Sequence, residues 1–78
     1  MEKVYILVEE TEDGKTILNG YNKKKNAVKE MNAYIEKAKI EMKSDEEPIE
    51  AKTEVSYYVS NGMGRFFFYQ VMEIILKD

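Results

Sequence analysis

Seventy-eight residues, with 12 basic and 15 acidic side chains and a net charge of −3, provide for one domain, residues 1–78, with a modest core. A chain this short buries roughly 60–65% of the surface it exposes when unfolded. There is no Cys and no His, which excludes a disulfide scaffold and a Cys/His zinc site, removes the commonest general base and the best nucleophile, and fits a reducing cytosol.

The opening Met1-Glu2-Lys3-Val4-Tyr5-Ile6-Leu7-Val8-Glu9-Glu10 has an apolar stretch too short for a signal peptide, and acids follow it. No stretch approaches a membrane span. A cytoplasmic protein without a membrane segment is the expectation. Lys3 to Glu9 reads as a strand with Val4, Ile6 and Val8 on one face and Tyr5 and Leu7 on the other. Thr11-Glu12-Asp13-Gly14 is a turn, since Asp-Gly tolerates positive φ. Thr16 to Tyr21 returns. A two-residue turn at Asp13-Gly14 sets Ile6 opposite Tyr21, so Ile17 and Tyr21 join the Val4 face and Leu18 joins Tyr5 and Leu7.

Asn22 is a candidate N-cap for a helix over about 23–43. Ala27, Val28, Met31, Tyr34, Ile35, Ala38 and Met42 fall within an arc of roughly 120° and form its buried stripe. Ile40 points the other way. Lys23, Lys24 and Lys25 crowd the positive end of the helix dipole, which is locally unfavourable. A loop follows over 44–50, stopped by acids and Pro48. Lys52 to Ser60 reads as the third strand, with Val55, Tyr57 and Val59 on one face. Asn61-Gly62-Met63-Gly64 turns the chain into Arg65–Leu76, the longest apolar run. This last strand is apolar on both faces: Phe66, Phe68, Met72, Ile74 and Leu76 on one, Phe67, Tyr69, Val71 and Ile75 on the other.

The order β-β-α-β-β predicts an α+β two-layer sandwich, one helix packed on a four-stranded, mostly antiparallel sheet. Strand order 2-1-4-3, with the first and fourth strands parallel, is preferred; 2-1-3-4 is the alternative. An even loop at Asn61–Gly64 places Phe66 and Phe68 beside Tyr57, so the helix is expected on the Val4/Ile6/Val55/Tyr57/Phe66/Phe68 face. The opposite face, Tyr5, Leu7, Phe67, Tyr69 and Val71, is then the candidate partner-binding surface, since a large exposed apolar patch marks an interface. A protein partner and a homodimer are both expected there. The same aromatics permit a stacking platform for single-stranded nucleic acid, but the acidic balance of the chain disfavours direct binding.

The acids Glu10, Glu12, Asp13, Asp45, Glu46 and Glu47 are candidates to face a basic partner, such as a nucleic-acid-handling effector. They lack the spacing of a calcium loop, and Asn61-Gly62-Met63-Gly64 precedes no helix, so it is not a phosphate loop. No metal, cofactor or catalytic residue is expected, and the chain is not expected to be an enzyme.

The opening strand Lys3–Val8, the Asp13-Gly14 hairpin, Gly20-Tyr21 leading into Lys24-Lys25-Asn26-Ala27-Val28, and the closing hairpin give a whole-chain pattern. It resembles small phage or mobile-element accessory proteins of the anti-CRISPR or anti-defence inhibitor kind. The resemblance implies a compact, non-catalytic phage or viral protein that inhibits by occupying a surface of a larger host protein. It carries over no functional residue.

Overall fold

The computed structural model describes residues 2–43 and 48–77. It has one helix on a five-stranded antiparallel sheet: β1 (Glu2–Thr11), β2 (Gly14–Tyr21), α1 (Lys24–Glu41), β3 (Ile49–Lys52), β4 (Ser56–Ser60) and β5 (Phe66–Leu76). The sheet order is β2-β1-β5-β4-β3. The α+β class is as expected, but there are five strands rather than four. No described helix is long and apolar enough to cross a membrane.

The extra strand comes from a turn the sequence hides. Thr53-Glu54-Val55-Ser56 contains no Gly, Pro, Asn or Asp, yet the chain reverses there. The Thr53 N–H donates to the Ser56 carbonyl at 2.9 Å, and the two side-chain oxygens lie 2.7 Å apart. The Thr53 hydroxyl also accepts the Val55 N–H at 3.3 Å. A hydroxyl standing in for a backbone acceptor is the mechanism of such turns. The expected third strand is therefore two short ones, β3 and β4. This added reversal makes β5 antiparallel to β1, where the four-strand reading made them parallel.

Two further registers depart from expectation. The first hairpin closes at Thr11 opposite Gly14, with Glu12-Asp13 as its loop, and a bulge at Leu7/Val8 shifts the pairing. Tyr21 thereby pairs with Tyr5, not Ile6, and Leu18 turns toward the helix side, where both pack on the core. The last hairpin closes at Ser60 opposite Phe66, so its loop is odd. Asn61 organises that loop: its side-chain oxygen accepts the N–H groups of Met63 (2.8 Å) and Arg65 (3.2 Å). Gly62 (φ 73°) and Gly64 (φ 99°) supply left-handed positions that other residues resist. An odd loop sets Tyr57 opposite Tyr69 and Val59 opposite Phe67.

The helix stripe is as its spacing predicts. Ala27, Met31, Ile35, Ala38 and Met42 are buried; Val28 and Tyr34 pack against them; Ile40 is exposed. The cap is Lys23, without a side-chain hydrogen bond, rather than Asn22, and the first turn holds no acid. The lysine crowding is relieved from outside: Glu54, at the tip of the β3–β4 turn, pairs with Lys24 at 2.9 Å. Leu7→Ala should remove about 3 kcal/mol of stability, because Leu7 has no exposed surface and sits at the centre of the helix-side layer. Ile40→Ala should change stability by less than about 0.5 kcal/mol. Urea denaturation of the two variants checks the difference.

Candidate interaction face

The helix covers the odd-numbered side of the central strands. Leu7, Tyr57, Val59, Tyr69 and Val71 are buried beneath it, with Tyr5, Val55 and Phe67 packed at the margin. The helix side thus reverses the expected one for β1 and β5 and agrees with it for Val55, Tyr57 and Val59. The expected partner-binding set, Tyr5, Leu7, Phe67, Tyr69 and Val71, is brought together by the fold, but as the layer facing the helix. Phe67 stacks on Tyr69 with ring centroids 6.5 Å apart, and Tyr69 meets Tyr34 of α1 at 5.7 Å. Of the three candidate rings for a nucleic-acid stacking platform, Tyr69 is buried against the helix, while Tyr5 and Phe67 are partly buried at its margin.

The opposite face is the uncovered one. The registers place Val4, Ile6 and Val8 of β1, Ile17 of β2, Tyr58 of β4, and Phe66, Phe68, Met72, Ile74 and Leu76 of β5 on it. No helix or second sheet among the described residues lies over these side chains. Val8 is buried, while Ile17 is 67% exposed, Met72 41%, Ile74 37% and Leu76 43%. Tyr58 and Phe66 lie ring to ring at 6.1 Å. The same registers place Gln70, Ser56 and Ser60 within this face and the charged Glu2, Glu10 and Lys15 toward its ends. Strict alternation had already marked this even-numbered set as apolar. What sequence reasoning missed was which of two apolar faces the helix would take, a choice fixed by the two loop parities.

The two faces differ in chemistry. On the helix side the aromatic hydroxyls reach carboxylates at the rim: Tyr69 donates to Glu9 (2.8 Å), Tyr5 to Glu73 (3.1 Å) and Tyr57 to Glu50. Burial, reinforced by these acceptors and their charge, pushes the Tyr57 and Tyr69 hydroxyls far above the ordinary tyrosine range. The open face carries mainly phenylalanine and aliphatic side chains, which have no such handle.

The acidic candidates fall in two places. Glu10, Glu12 and Asp13 gather at the tip of the first hairpin, beside the start of β5, where Glu12 accepts the Phe66 N–H at 3.4 Å. Asp45, Glu46 and Glu47 lie outside the described residues. Lys24, Lys25 and Lys29 line a shallow cleft with Val28, Asn32 and Glu54. The exposed Lys24–Glu54 pair raises the lysine and lowers the carboxyl, each mainly through their shared hydrogen bond. Comparison with family models, curated proteins and solved structures found no match to the chain.

A tyrosine whose folded-state pKa is raised contributes stability below its unfolded value, and that stability is lost as pH rises toward the folded value. Stability should therefore fall above about pH 10. In a 295 nm absorbance titration, Tyr57 and Tyr69 should ionise only together with loss of the far-ultraviolet dichroism. Ionisation of all six tyrosines with the fold intact would contradict their buried, carboxylate-bonded placement.

Proposed function

We propose that the chain is a small, non-catalytic, cytoplasmic protein-binding module that lays the open face of its sheet against a larger protein. The observation that carries this is the face itself: apolar side chains from four strands, β1, β2, β4 and β5, adjoin one another with no covering layer among the described residues. Contiguous exposed apolar patches of more than a few hundred Å² mark interaction sites in soluble proteins. Aromatic residues and methionine, here Phe66, Phe68 and Met72 on this face, are the types enriched in interfaces. The non-catalytic part of the reading draws on a sequence without His or Cys.

A narrower form is an inhibitor of the anti-CRISPR or anti-defence kind, occupying a surface of a nucleic-acid-handling effector. Its support is the acidic corner of Glu10, Glu12 and Asp13, which borders the open face and complements a basic channel. The geometry favours protein contact over single-strand binding, since the open face offers few charges to a phosphate backbone.

The double variant Ile17→Lys/Met72→Lys tests the face. Both residues are already exposed, so the fold should survive, which circular dichroism confirms. A wild-type bait should retain a protein partner from cell lysate that the double variant loses at least tenfold. Ile40→Lys, on the wet side of the helix, should retain it as wild type does. Retention of the same proteins by wild type and the double variant would overturn the face as the binding surface.

A further inference from the structure

β5 outlasts its neighbour on one side. β4 follows it only to Val71, whose N–H donates to the Val55 carbonyl at 2.8 Å. β5 continues along β1 to Leu76. Successive backbone groups on a strand point to alternate edges. Since Val71 points toward β4, Glu73 and Ile75 point the same way, and Lys77 follows if the strand extends. Among the described residues no strand pairs with that edge beyond Val71. The free stretch is Glu73-Ile74-Ile75-Leu76-Lys77.

Natural sheets blunt such edges with central lysines, prolines or bulges. None is present: the middle of the stretch is Ile74, Ile75 and Leu76, exposed by 37%, 50% and 43%, and the β1–β5 register runs without a shift. The only charges stand at the two ends and have opposite sign.

We propose that this edge pairs antiparallel with the same edge of a second copy, about a twofold axis through Ile75. Read against its own reverse, the stretch is self-complementary. Glu73 lies opposite the second copy's Lys77, Ile74 opposite its Leu76, and Ile75 opposite its Ile75. Opposite charges across a pair stabilise it and like charges oppose it. The register centred on Glu73 sets two carboxylates face to face. The register centred on Ile74 brings the second copy's Lys77 against Val71, whose edge Val55 already fills. A register centred on Leu76 sets the second copy's Lys77 opposite Ile75, so Glu73 no longer meets it. Only the axis through Ile75 uses the whole free stretch and pairs both charges. The Glu73 carboxylate meets Lys3 (3.6 Å) and Tyr5 (3.1 Å) through one oxygen, Oε1, and the side chain remains 47% exposed. This contact uses the edge of the sheet and not its open face, so it stands apart from the function proposed above.

Pairing over one short stretch is a small interface, so the solution mass is measured by sedimentation equilibrium from about 10 µM to about 1 mM. Wild type should rise toward the mass of two chains. Glu73→Lys alone and Lys77→Glu alone should each stay single, at least tenfold weaker, because each sets like charges opposite. An equimolar mixture of these two variants should regain the two-chain mass, since their paired positions are again complementary. Ile75→Pro should also be single: it removes the central edge N–H while the N–H groups facing β1 remain, and circular dichroism verifies its fold. Ile17→Lys/Met72→Lys should associate as wild type does. A single-chain mass for wild type throughout, or a mixture that stays single, overturns the proposal. So does a dimer that survives both charge variants and is lost in Ile17→Lys/Met72→Lys, which would place association on the open face.

Discussion

Everything in this fold hangs on the ladder between β1 and β5. Ten residue pairs join Glu2–Thr11 to Phe67–Leu76, the segments furthest apart in sequence. β2 is attached to the outer edge of β1, and β4, with β3 beyond it, to the outer edge of β5. The ladder also sets which side chains share a layer. Leu7 is opposite Val71 and Glu9 is opposite Tyr69, so the residues under the helix and the carboxylates at its rim are chosen together. Because side chains alternate with period two, a slip of one residue would exchange both layers. The slip would bury Met72 and expose Val71, and it would separate Tyr69 from Glu9. The buried layer and its hydroxyl–carboxylate pairs thus pin a register that two apolar faces alone would leave ambiguous.

The helix and its stripe were legible because a 3.6-residue period over 18 residues repeats many times and tolerates local exceptions. The adjacency of β1 with β5 and of β5 with β4 was legible too, since the most apolar strands take the centre. Orientation and face were not. Each depends on one short loop whose parity propagates to every residue beyond it. The turn at Thr53–Ser56 is made by a threonine hydroxyl, a chemistry that the usual turn residues do not announce. The loop at Asn61–Arg65 does carry glycines, but its length is decided by which N–H groups Asn61 accepts. The candidate residues were accordingly grouped correctly and assigned to the wrong side. The grouping is a property of strand period, and the side is a property of loop closure.

The lysines at the start of the helix show how a local conflict is resolved at a distance. Three cations beside the positive end of a helix dipole cost a few tenths of a kcal/mol each, and no residue in the first turn offsets them. Glu54 does so from the tip of the same turn that creates the extra strand. The turn therefore has two tasks. It reverses the chain so that β5 runs antiparallel to β1, and it delivers a carboxylate to the helix start. An exposed pair of this kind adds little stability, and its contribution here is to place the hairpin tip against one end of the helix.

One helix cannot cover two apolar faces, so among the described residues one face stays uncovered; separately, β4 stops short of the end of β5 and leaves the last stretch of that strand with a free edge. These surfaces differ in what they ask of a partner. The face presents side chains with no direction of their own and takes any complementary apolar shape. The edge presents backbone donors and acceptors in a fixed sequence and takes only a strand, with register chosen by its end charges. Antiparallel pairing through Ile75 keeps even-numbered residues opposite even-numbered residues, so the open faces of two copies come to lie on the same side of one continuous sheet. Stacking two copies face to face would consume the apolar surface; joining them edge to edge would extend it. The two surfaces are therefore compatible, and a larger protein seated on the open face would meet the apolar side chains of both copies at once.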